Sequence, residues 1–261
     1  MGGDSEGPVD VGARFDARAD TYDDSAAHRW QAGVAAEVAG ISAAERVLDV
    51  ATGTGLLLRS VPAAASPGSR IGVDIASALL EVAARELPSA RWVVADAGRL
   101  PFADGAFDVV TCVAGISYLA PETVLPEWRR VLADDGRIVA SMPADRGLTS
   151  FDLLRDAARA TSINLPEPNA GLGSRARALR AGERHRLVLR KLVEATYSEP
   201  LTGPADDAFD HLLSQGLAED VRRAEPMLRH AVLEGYRDRY RQAAGNGSGQ
   251  QHLLFASWSA A

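Results

Sequence analysis

The stretch Arg46-Val47-Leu48-Asp49-Val50-Ala51-Thr52-Gly53-Thr54-Gly55 decides the fold. Its apolar run ends in a loop of small residues, and three leucines, 56–58, follow. This order predicts a buried strand, a tight glycine turn and the start of a helix. Gly53 and Gly55 let a ligand approach the backbone without interference from a Cβ atom. Because the first N–H groups of a helix lack partners, the turn can also hold an anion, so the stretch predicts a site for a nucleotide-like cofactor.

Length, composition and charge bound the class of protein. The 261 residues are 46% hydrophobic, which predicts one globular α/β domain over residues 11–261 with a large core. A formal net charge of −7 argues against a nucleic-acid partner, because a phosphate backbone needs a basic face. No run reaches the roughly 18 apolar residues of a membrane helix, so we expect no membrane span. Residues 1–10 are rich in glycine and acidic residues and predict a disordered tail.

Cysteine usage indicates the redox setting. Cys112 is the only cysteine, so no intramolecular disulfide can form. Together with the absence of a signal-peptide pattern, this predicts a reducing, cytoplasmic location. Cys112 falls in an apolar strand pattern, which favours a buried inert thiol over a nucleophile.

Strand and helix patterns alternate through the first 142 residues. Helices are expected at 15–39, at 77–86 with Ser77 as the cap, and at 121–132 before the stop signal Asp134-Asp135-Gly136. Strand patterns occupy 47–50, 70–75, 91–96, 107–113 and 137–142. Strands that alternate with helices at this spacing predict a parallel sheet with helices on both faces and right-handed crossovers.

The alternation changes after residue 142. Helices are expected at 150–160 and 205–242, the second interrupted near Glu225-Pro226, and strands at 193–198 and 252–258. We interpret residues 144–190 as an insertion that forms a lid over the active site. Residues 12–40 are interpreted as an N-terminal helical lid of the same domain.

Three aspartates lie in turn at the ends of the first three predicted strands. Asp49 lies just before the glycine turn, Asp74 ends the second strand and Asp96 ends the third. In an open α/β sheet, ligands bind outside the carboxyl ends of the strands. Asp74 follows Gly55 at close to the roughly 20-residue spacing of a ribose-binding acid, so it can accept bonds from both ribose hydroxyls. Asp96, beside the Ala97 N–H, can accept from an adenine amine, and Asp49 can pin the loop or attract an ammonium group.

Other interpretations of the glycine turn fit less well. A dinucleotide site requires a third glycine where Leu58 stands, and a phosphate P-loop requires a Lys-Ser or Lys-Thr pair that does not follow. A strand-end aspartate also occurs as a simple turn former. The strand, the glycine turn and two further acids in register nevertheless favour a cofactor site.

The motifs over residues 12–142 resemble, in order and spacing, those of class I S-adenosylmethionine-dependent methyltransferases. The first and second motifs are 48–55 and Gly72-Val73-Asp74-Ile75-Ala76. The stretch Asp96-Ala97-Gly98-Arg99-Leu100-Pro101-Phe102 is similar to a motif of the subgroup related to ubiquinone and menaquinone biosynthesis methyltransferases. The stretches 107–112 and 129–137 complete the set.

The resemblance implies a fold and a cofactor. The fold is three-layered and Rossmann-like, with a mostly parallel seven-stranded sheet of order 3-2-1-4-5-7-6, an antiparallel seventh strand and a helical lid. The implied cofactor is S-adenosylmethionine. In this family Ala51, Gly53 and Gly55 would line its methionine part, while Asp74 would bind the ribose and Ile75 would pack against adenine.

The remaining implied cofactor contacts come from three other segments. Asp96 and Ala97 would contact the adenine edge, and Val113 would face the methionyl side. Tyr22, followed by Asp23, matches a Tyr-Asp pair that closes over the cofactor in this subgroup. The alternative for Tyr22 is an ordinary aromatic that packs between helices.

Two residues are candidates for the chemistry. A methyl transferase must align a nucleophile and exclude water, and a general base helps when the nucleophile carries a proton. His28 is the candidate base because its helix should border the cofactor; a packing histidine is the alternative. Tyr118, after the fourth strand, could contact the substrate or simply anchor its loop. No residues have metal-ligand spacing, so no metal site is predicted.

The sequence therefore predicts a methyltransferase that acts on oxygen, nitrogen or carbon of a small, apolar biosynthetic or natural-product metabolite. The alternative is a methyltransferase-like cyclase or isomerase that keeps the cofactor without transferring the methyl group. The expected partner is a small-molecule acceptor. The acceptor itself and the oligomeric state, a homodimer included, are left open.

Overall fold

A seven-stranded sheet organises the chain, in the order β3-β2-β1-β4-β5-β7-β6. The computed structural model describes residues 8–66, 68–169, 171–214, 218–245, 247 and 249–261. The strands are β1 Val47–Val50, β2 Arg70–Asp74, β3 Arg91–Val94, β4 Phe107–Cys112, β5 Leu132–Leu148, β6 Leu187–Ser198 and β7 Gln250–Ala260. The helices are α1 Pro8–Asp16, α2 Ala26–Ala39, α3 Leu56–Ser60, α4 Ser77–Glu86, α5 Pro121–Val131, α6 Thr149–Ala160, α7 Arg175–Arg184, α8 Ala205–Ser214, α9 Glu219–Arg222 and α10 Pro226–Gly245.

The first five strands are parallel, and strand order reverses beside β1. Val47 of β1 pairs with Arg70 of β2 on one side and with Val109 of β4 on the other. The chain therefore builds outward through β2 and β3 and then returns to the opposite side of β1. This reversal is the switch point at which open α/β sheets bind ligands.

The seventh strand runs against its neighbours. Thr196 of β6 contacts His252, and Arg190, earlier in β6, contacts Ser259, later in β7. On the other side, Thr149 donates to the Gln250 carbonyl just beyond the end of β5. Positions that ascend on one strand and descend on the next define antiparallel pairing. The predicted sheet order and class are thus confirmed.

The start of the chain differs from the prediction of one helix over 15–39. Helix α1 is followed by a short 3₁₀ helix, Ala19–Asp24, before α2 begins. Ser25 takes an extended conformation, and its hydroxyl accepts the His28 N–H, so it caps α2. The expected tail, residues 1–10, lies outside the described residues except for 8–10, which open α1.

Helix α4 is capped from outside its own segment. Its bounds match the prediction. The predicted cap, Ser77, is wrong, because Ala76 is the cap residue and makes no side-chain cap hydrogen bond. The Asp16 carboxylate accepts the Ala78 N–H at 2.7 Å instead. A carboxylate at a helix N-terminus also interacts favourably with the helix dipole. The contact fastens the end of α1 to the start of α4.

Strand β5 is longer than the predicted 137–142. Phe107 pairs with Leu132 and Val109 with Arg137, so five residue steps on β5 oppose two on β4. The predicted helix stop Asp134-Asp135-Gly136 is this bulge. Bulges of this kind absorb extra residues while the ladder continues on both sides.

The chain forms two compact units. The first comprises 1–142, 169–194 and 254–261, and the second 143–168 and 195–253. In the second unit α6, α8, α9 and α10 share an apolar core that includes Phe151, Phe209 and Tyr236. The predicted insertion, 144–190, is divided between the two units, and its function as a lid stays a prediction. Within the ranges that the structure describes, no helix has the length and apolar character needed to cross a bilayer.

A tryptophan fills the space left by two glycines of the first unit. A Cβ atom on Gly72 would overlap the Trp92 ring and lie 2.8 Å from Thr52, and one on Gly55 would lie 2.6 Å from the same ring. Gly55 also has a left-handed backbone, with φ of 78°. The indole of β3 therefore packs against bare backbone of β2 and of the glycine turn.

We predict that Gly72→Ala lowers the free energy of unfolding by about 1–3 kcal/mol, because an added methyl in a filled core forces side chains to move. Gly33→Ala is the matched control, since no atom lies within 4 Å of a Cβ there. Its helical position should make alanine neutral or stabilising by up to about 1 kcal/mol. Urea unfolding of both variants checks this, and equal stabilities would contradict it.

Candidate functional site

A cleft opens at the carboxyl ends of β1 to β4. It contains about 860 Å³ of space not filled by atoms, part of which is open to solvent. The residues that follow β1, β2, β3 and β4 contribute to it, together with α1 and the 3₁₀ helix. The described lining residues are Val11, Phe15, Tyr22, Ala51, Gly53, Asp74, Ile75, Leu79, Ala95, Asp96, Ala97, Ala114, Gly115, Tyr118 and Leu119.

Asp74 joins two loops at the centre of this cleft. Its Oδ2 accepts the Gly53 N–H at 2.8 Å, and its Oδ1 accepts the Ala76 N–H at 2.9 Å. Burial raises the pKa of Asp74, and the backbone N–H bonds oppose that rise. A carboxylate offers about four lone-pair sites, so two bonds leave capacity for a further pair of hydroxyl donors.

Asp49 lies under the glycine turn and outside the cleft lining. It is 2% exposed and accepts the Thr52 and Thr111 hydroxyls, each at 2.6 Å. These bonds tie the loop after β1 to β4. Burial raises the pKa of Asp49 to about 6, although both hydroxyl bonds oppose the rise. These contacts hold the loop in place, which is one of the two functions expected of Asp49.

The two glycines of the turn have different surroundings. Gly53, with φ of 57°, lines the cleft, and a Cβ there would lie 3.5 Å from the Tyr22 ring. Gly55 is the residue before α3 and faces Trp92, as described above. Gly53 thus permits a close approach in the cleft, whereas Gly55 serves the packing of the sheet.

The loop after β3 is held against α5. Asp96 accepts the Gly98 N–H at 2.7 Å and shapes the turn. The Trp128 indole N–H donates to the Ala97 carbonyl at 3.0 Å, and Glu127 accepts the Leu100 N–H at 2.7 Å. The conformation that places Asp96 and Ala97 in the cleft is therefore fixed by side chains about 30 residues later in the chain.

The 3₁₀ helix places an aromatic ring over the glycine turn. Asp23 accepts bonds from the Thr54 hydroxyl and the Arg59 guanidinium, so it fastens this segment to the loop and to α3. The neighbouring Tyr22 ring covers Gly53 and stacks on the His28 ring, with centroids 4.7 Å apart. His28 therefore lies behind Tyr22 rather than in the cleft lining.

The loop after β4 takes a left-handed backbone at Ala114, with φ of 61°. Ser141, fully buried in β5, accepts the Ala114 N–H at 3.0 Å and the Gln31 side-chain N–H at 2.7 Å. Gly115 packs so closely that a Cβ would lie 2.6 Å from that of Ala51. Ala114 and Gly115 line the cleft, whereas Val113 does not.

The structure brings together eight of the twelve residues singled out from the sequence. Asp49, Gly55, Val113 and His28 are absent from the described lining for the reasons given above. Sequence patterns did not predict the apolar lining residues Val11, Phe15, Leu79 and Leu119, because an apolar residue in a helix or loop shows no sign of whether it meets a ligand or the core. The eight that line the cleft are Tyr22, Ala51, Gly53, Asp74, Ile75, Asp96, Ala97 and Tyr118.

Comparison with known families and sequences agrees with this geometry. Residues 47–136 match a family model described as a methyltransferase domain. The demethylmenaquinone methyltransferase of Clavibacter sepedonicus is 33% identical over 181 residues, covering 64% of this chain and 73% of the relative. The chain belongs to the S-adenosylmethionine-dependent methyltransferases.

Other relatives of this methyltransferase match over shorter stretches. The demethylmenaquinone methyltransferase of Thermotoga maritima is 41% identical over 96 residues, which cover 36% of this chain and 42% of the relative. That of Thermus thermophilus is 40% identical over 116 residues, covering 42% of this chain and 52% of the relative. The chain thus spans about half the length of these two relatives.

Solved structures share the fold. A Bacillus halodurans protein described as a methyltransferase superposes with a TM-score of 0.57 at 19% identity, covering 88% of this chain and 98% of its own. The geranyl diphosphate C-methyltransferase of Streptomyces coelicolor gives 0.51 at 20% identity, covering 89% and 79%.

The cleft of this methyltransferase suits the family's cofactor, S-adenosylmethionine. Asp74 has acceptor capacity for two ribose hydroxyls, and small residues at 51 and 53 leave the backbone accessible. Ile75 and Leu79 provide apolar surface for a purine, and Asp96 lies on the same cleft. Among the described residues, no group of three or more His, Cys, Asp or Glu could hold a metal ion.

We predict that Asp49→Asn removes a pH dependence of stability. The pKa of Asp49 lies at about 6 in the folded protein against 3.8 as the reference value, so the folded state binds the proton more tightly. This contribution is present below pH 4 and is lost as the pH rises through 6. The unfolding free energy of the variant minus that of wild type should therefore grow by about 2–3 kcal/mol between pH 4 and 7.

The asparagine introduced by Asp49→Asn can keep both threonine contacts, one as acceptor and one as donor, so the fold should persist. Asp134→Asn, at a fully exposed side chain, is the control, and its difference from wild type should not change with pH. Urea unfolding at several pH values measures both. A constant difference for Asp49→Asn would contradict the prediction.

Proposed function

We propose that the protein transfers the methyl group of S-adenosylmethionine to a small, largely apolar acceptor. One observation carries the proposal: a half-buried aspartate next to the switch point holds two loops and still has acceptor capacity in an apolar cleft. The names of the relatives support a quinone-type ring as the acceptor class. Under this proposal the acceptor atom is carbon, oxygen or nitrogen of a biosynthetic metabolite.

The cofactor contacts follow from the position of each residue in the cleft. Asp74 binds the ribose, and the small residues Ala51 and Gly53 lie along the methionine part of the cofactor. Ile75 packs against adenine, and Asp96 with Ala97 contacts the adenine edge. Asp49, Gly55 and Val113 act on the cofactor through the loops that they hold in place.

Tyr22 and His28 act together at the N-terminal side of the cleft. The Tyr22 ring closes over Gly53, and the stacked His28 ring limits its movement. Burial and nearby Asp74 raise the pKa of Tyr22, so its hydroxyl stays protonated and can donate a hydrogen bond. We assign His28 the role of positioning Tyr22 rather than that of a general base.

Orientation and exclusion of water supply most of the catalysis in this proposal. The titratable side chains of the described lining are Tyr22, Asp74, Asp96 and Tyr118. Burial raises the pKa of Tyr118, so its phenol is a poor base near neutral pH. Bound S-adenosylmethionine supplies an activated methyl group, and the alignment of two reactants in one site can contribute about 7–11 kcal/mol at best.

The first experiment measures binding of S-adenosylmethionine by calorimetry to Asp74→Ala and to the wild type. We expect the variant to bind at least about tenfold more weakly, because a hydrogen bond to a charged group contributes about 1.5–3 kcal/mol. Asp134→Ala, at the exposed bulge of β5, should bind as the wild type does. Thermal unfolding without ligand separates lost affinity from lost folding, and unchanged affinity of Asp74→Ala would count against the site.

The second experiment asks whether the methyl group is transferred. The protein is incubated with S-adenosylmethionine and reduced quinone-type ring compounds, and products are identified by mass spectrometry. A product in which one hydrogen is replaced by methyl supports transfer. An isomer of unchanged mass, with the cofactor intact, would instead indicate the cyclase or isomerase alternative.

A further inference from the structure

The aromatic ring of Phe15 contacts a tyrosine that lines the cleft and an arginine that lies outside the lining. Phe15 lines the cleft from α1, and the Tyr118 ring meets it edge-on, with centroids 5.1 Å apart and planes at 89°. The Arg18 guanidinium carbon lies 5.9 Å from the centre of the same Phe15 ring. A cation at this distance is attracted by the face of an aromatic ring. The arginine and the phenol are thus gathered around one side chain.

The backbone fixes Arg18 at this place. Its N–H donates to the Phe15 carbonyl at 3.0 Å, and its own carbonyl accepts the Thr21 N–H at 3.1 Å. The residue therefore sits in the tight connection between α1 and the 3₁₀ helix. Arg18 makes no ion pair with any residue of the described ranges, and its side chain is half-buried. A half-buried guanidinium without a carboxylate partner favours a nearby anion.

The phenol beside this guanidinium is a hydrogen-bond donor. Tyr118 lines the cleft, and burial raises the pKa of its hydroxyl while Arg18 and Arg14 oppose that rise. Both guanidinium groups are therefore close enough to stabilise negative charge at the phenol oxygen.

We propose that the Tyr118 hydroxyl, supported by the positive charge of Arg18 outside the lining, forms the subsite for an oxyanion of the acceptor, which makes the acceptor an ionised aromatic or enolic compound. The inference rests on the proposed function and names the substrate class of that site. An acceptor held as its oxyanion has already lost its hydroxyl proton, so its attack on the methyl group needs no general base. When the attacking atom is a ring carbon, the C–H proton leaves that carbon in a later step, to water or to a carboxylate of the lining.

The test uses a matched pair of small ligands, 2-naphthoate and the uncharged 2-naphthamide. Calorimetry measures their binding to protein saturated with S-adenosylhomocysteine. The wild type should prefer the naphthoate about tenfold or more, the size of one charge-assisted hydrogen bond. Arg18→Met should remove the preference, Arg18→Lys should keep most of it, and Tyr118→Phe should weaken naphthoate more than naphthamide.

Arg175→Met is the control, because Arg175 is exposed on α7 and its loss changes the net charge equally. It should leave the preference unchanged. Equal binding of both ligands to the wild type, no binding of either, or a preference that survives in Arg18→Met would overturn the proposal. A preference lost equally in Arg175→Met would also overturn it, since bulk charge would then be the cause.

The binding of S-adenosylhomocysteine to each variant distinguishes failure of the proposed function from failure of the oxyanion subsite. If the wild type does not bind it, the proposed function fails first. If every variant binds it with wild-type affinity and no anion preference is found, the proposed function stands and this subsite is wrong.

Discussion

The active cleft depends on the carboxylate of Asp74. It accepts one backbone N–H from the loop after β1 and another from the start of α4, so it fixes two loops that belong to different strands. A carboxylate that is partly removed from water is costly unless hydrogen bonds satisfy it. The same two bonds that offset this cost also determine the shape of the site. If Asp74 binds the cofactor as we propose, cofactor binding and loop architecture are coupled through a single side chain.

A second carboxylate, that of Asp49, holds the glycine turn from beneath the cleft lining. Asp49 accepts two threonine hydroxyls and joins the glycine turn to β4. Its pKa of about 6 indicates that burial is only partly compensated by these bonds. The site thus has an inner layer of satisfied polar groups, Asp49 and Ser141, beneath the surface that meets the ligand. The hydrogen bonds of this layer hold the two loops that contain left-handed residues at 51, 53 and 114.

Aromatic side chains from the first 30 residues complete the cleft on the remaining side. Tyr22 covers the glycine turn, and Phe15 carries both Tyr118 and Arg18 on its ring. These contacts involve residues that are more than 30 positions from the turn or from the β4 loop. The same cluster that covers this side of the cleft therefore includes the charge and the donor that we assign to the acceptor.

The sequence by itself determined the strands of the first half of the sheet and the aspartates at their ends, because strand periodicity and glycine turns are local properties. The order of the strands followed from the family resemblance. The sequence could not show that Gly55 faces Trp92, that Asp49 points under the loop, or that Asp16 caps α4. Those outcomes depend on which side of a strand meets a distant element. Only the tertiary structure showed that Ala114 and Gly115 line the cleft in place of Val113. The left-handed backbone at Ala114, whose N–H is bound by Ser141, redirects the chain there. The tertiary structure also decided that the Phe15 ring contacts Tyr118, about 100 residues later in the chain, because packing between remote segments has no signature in spacing.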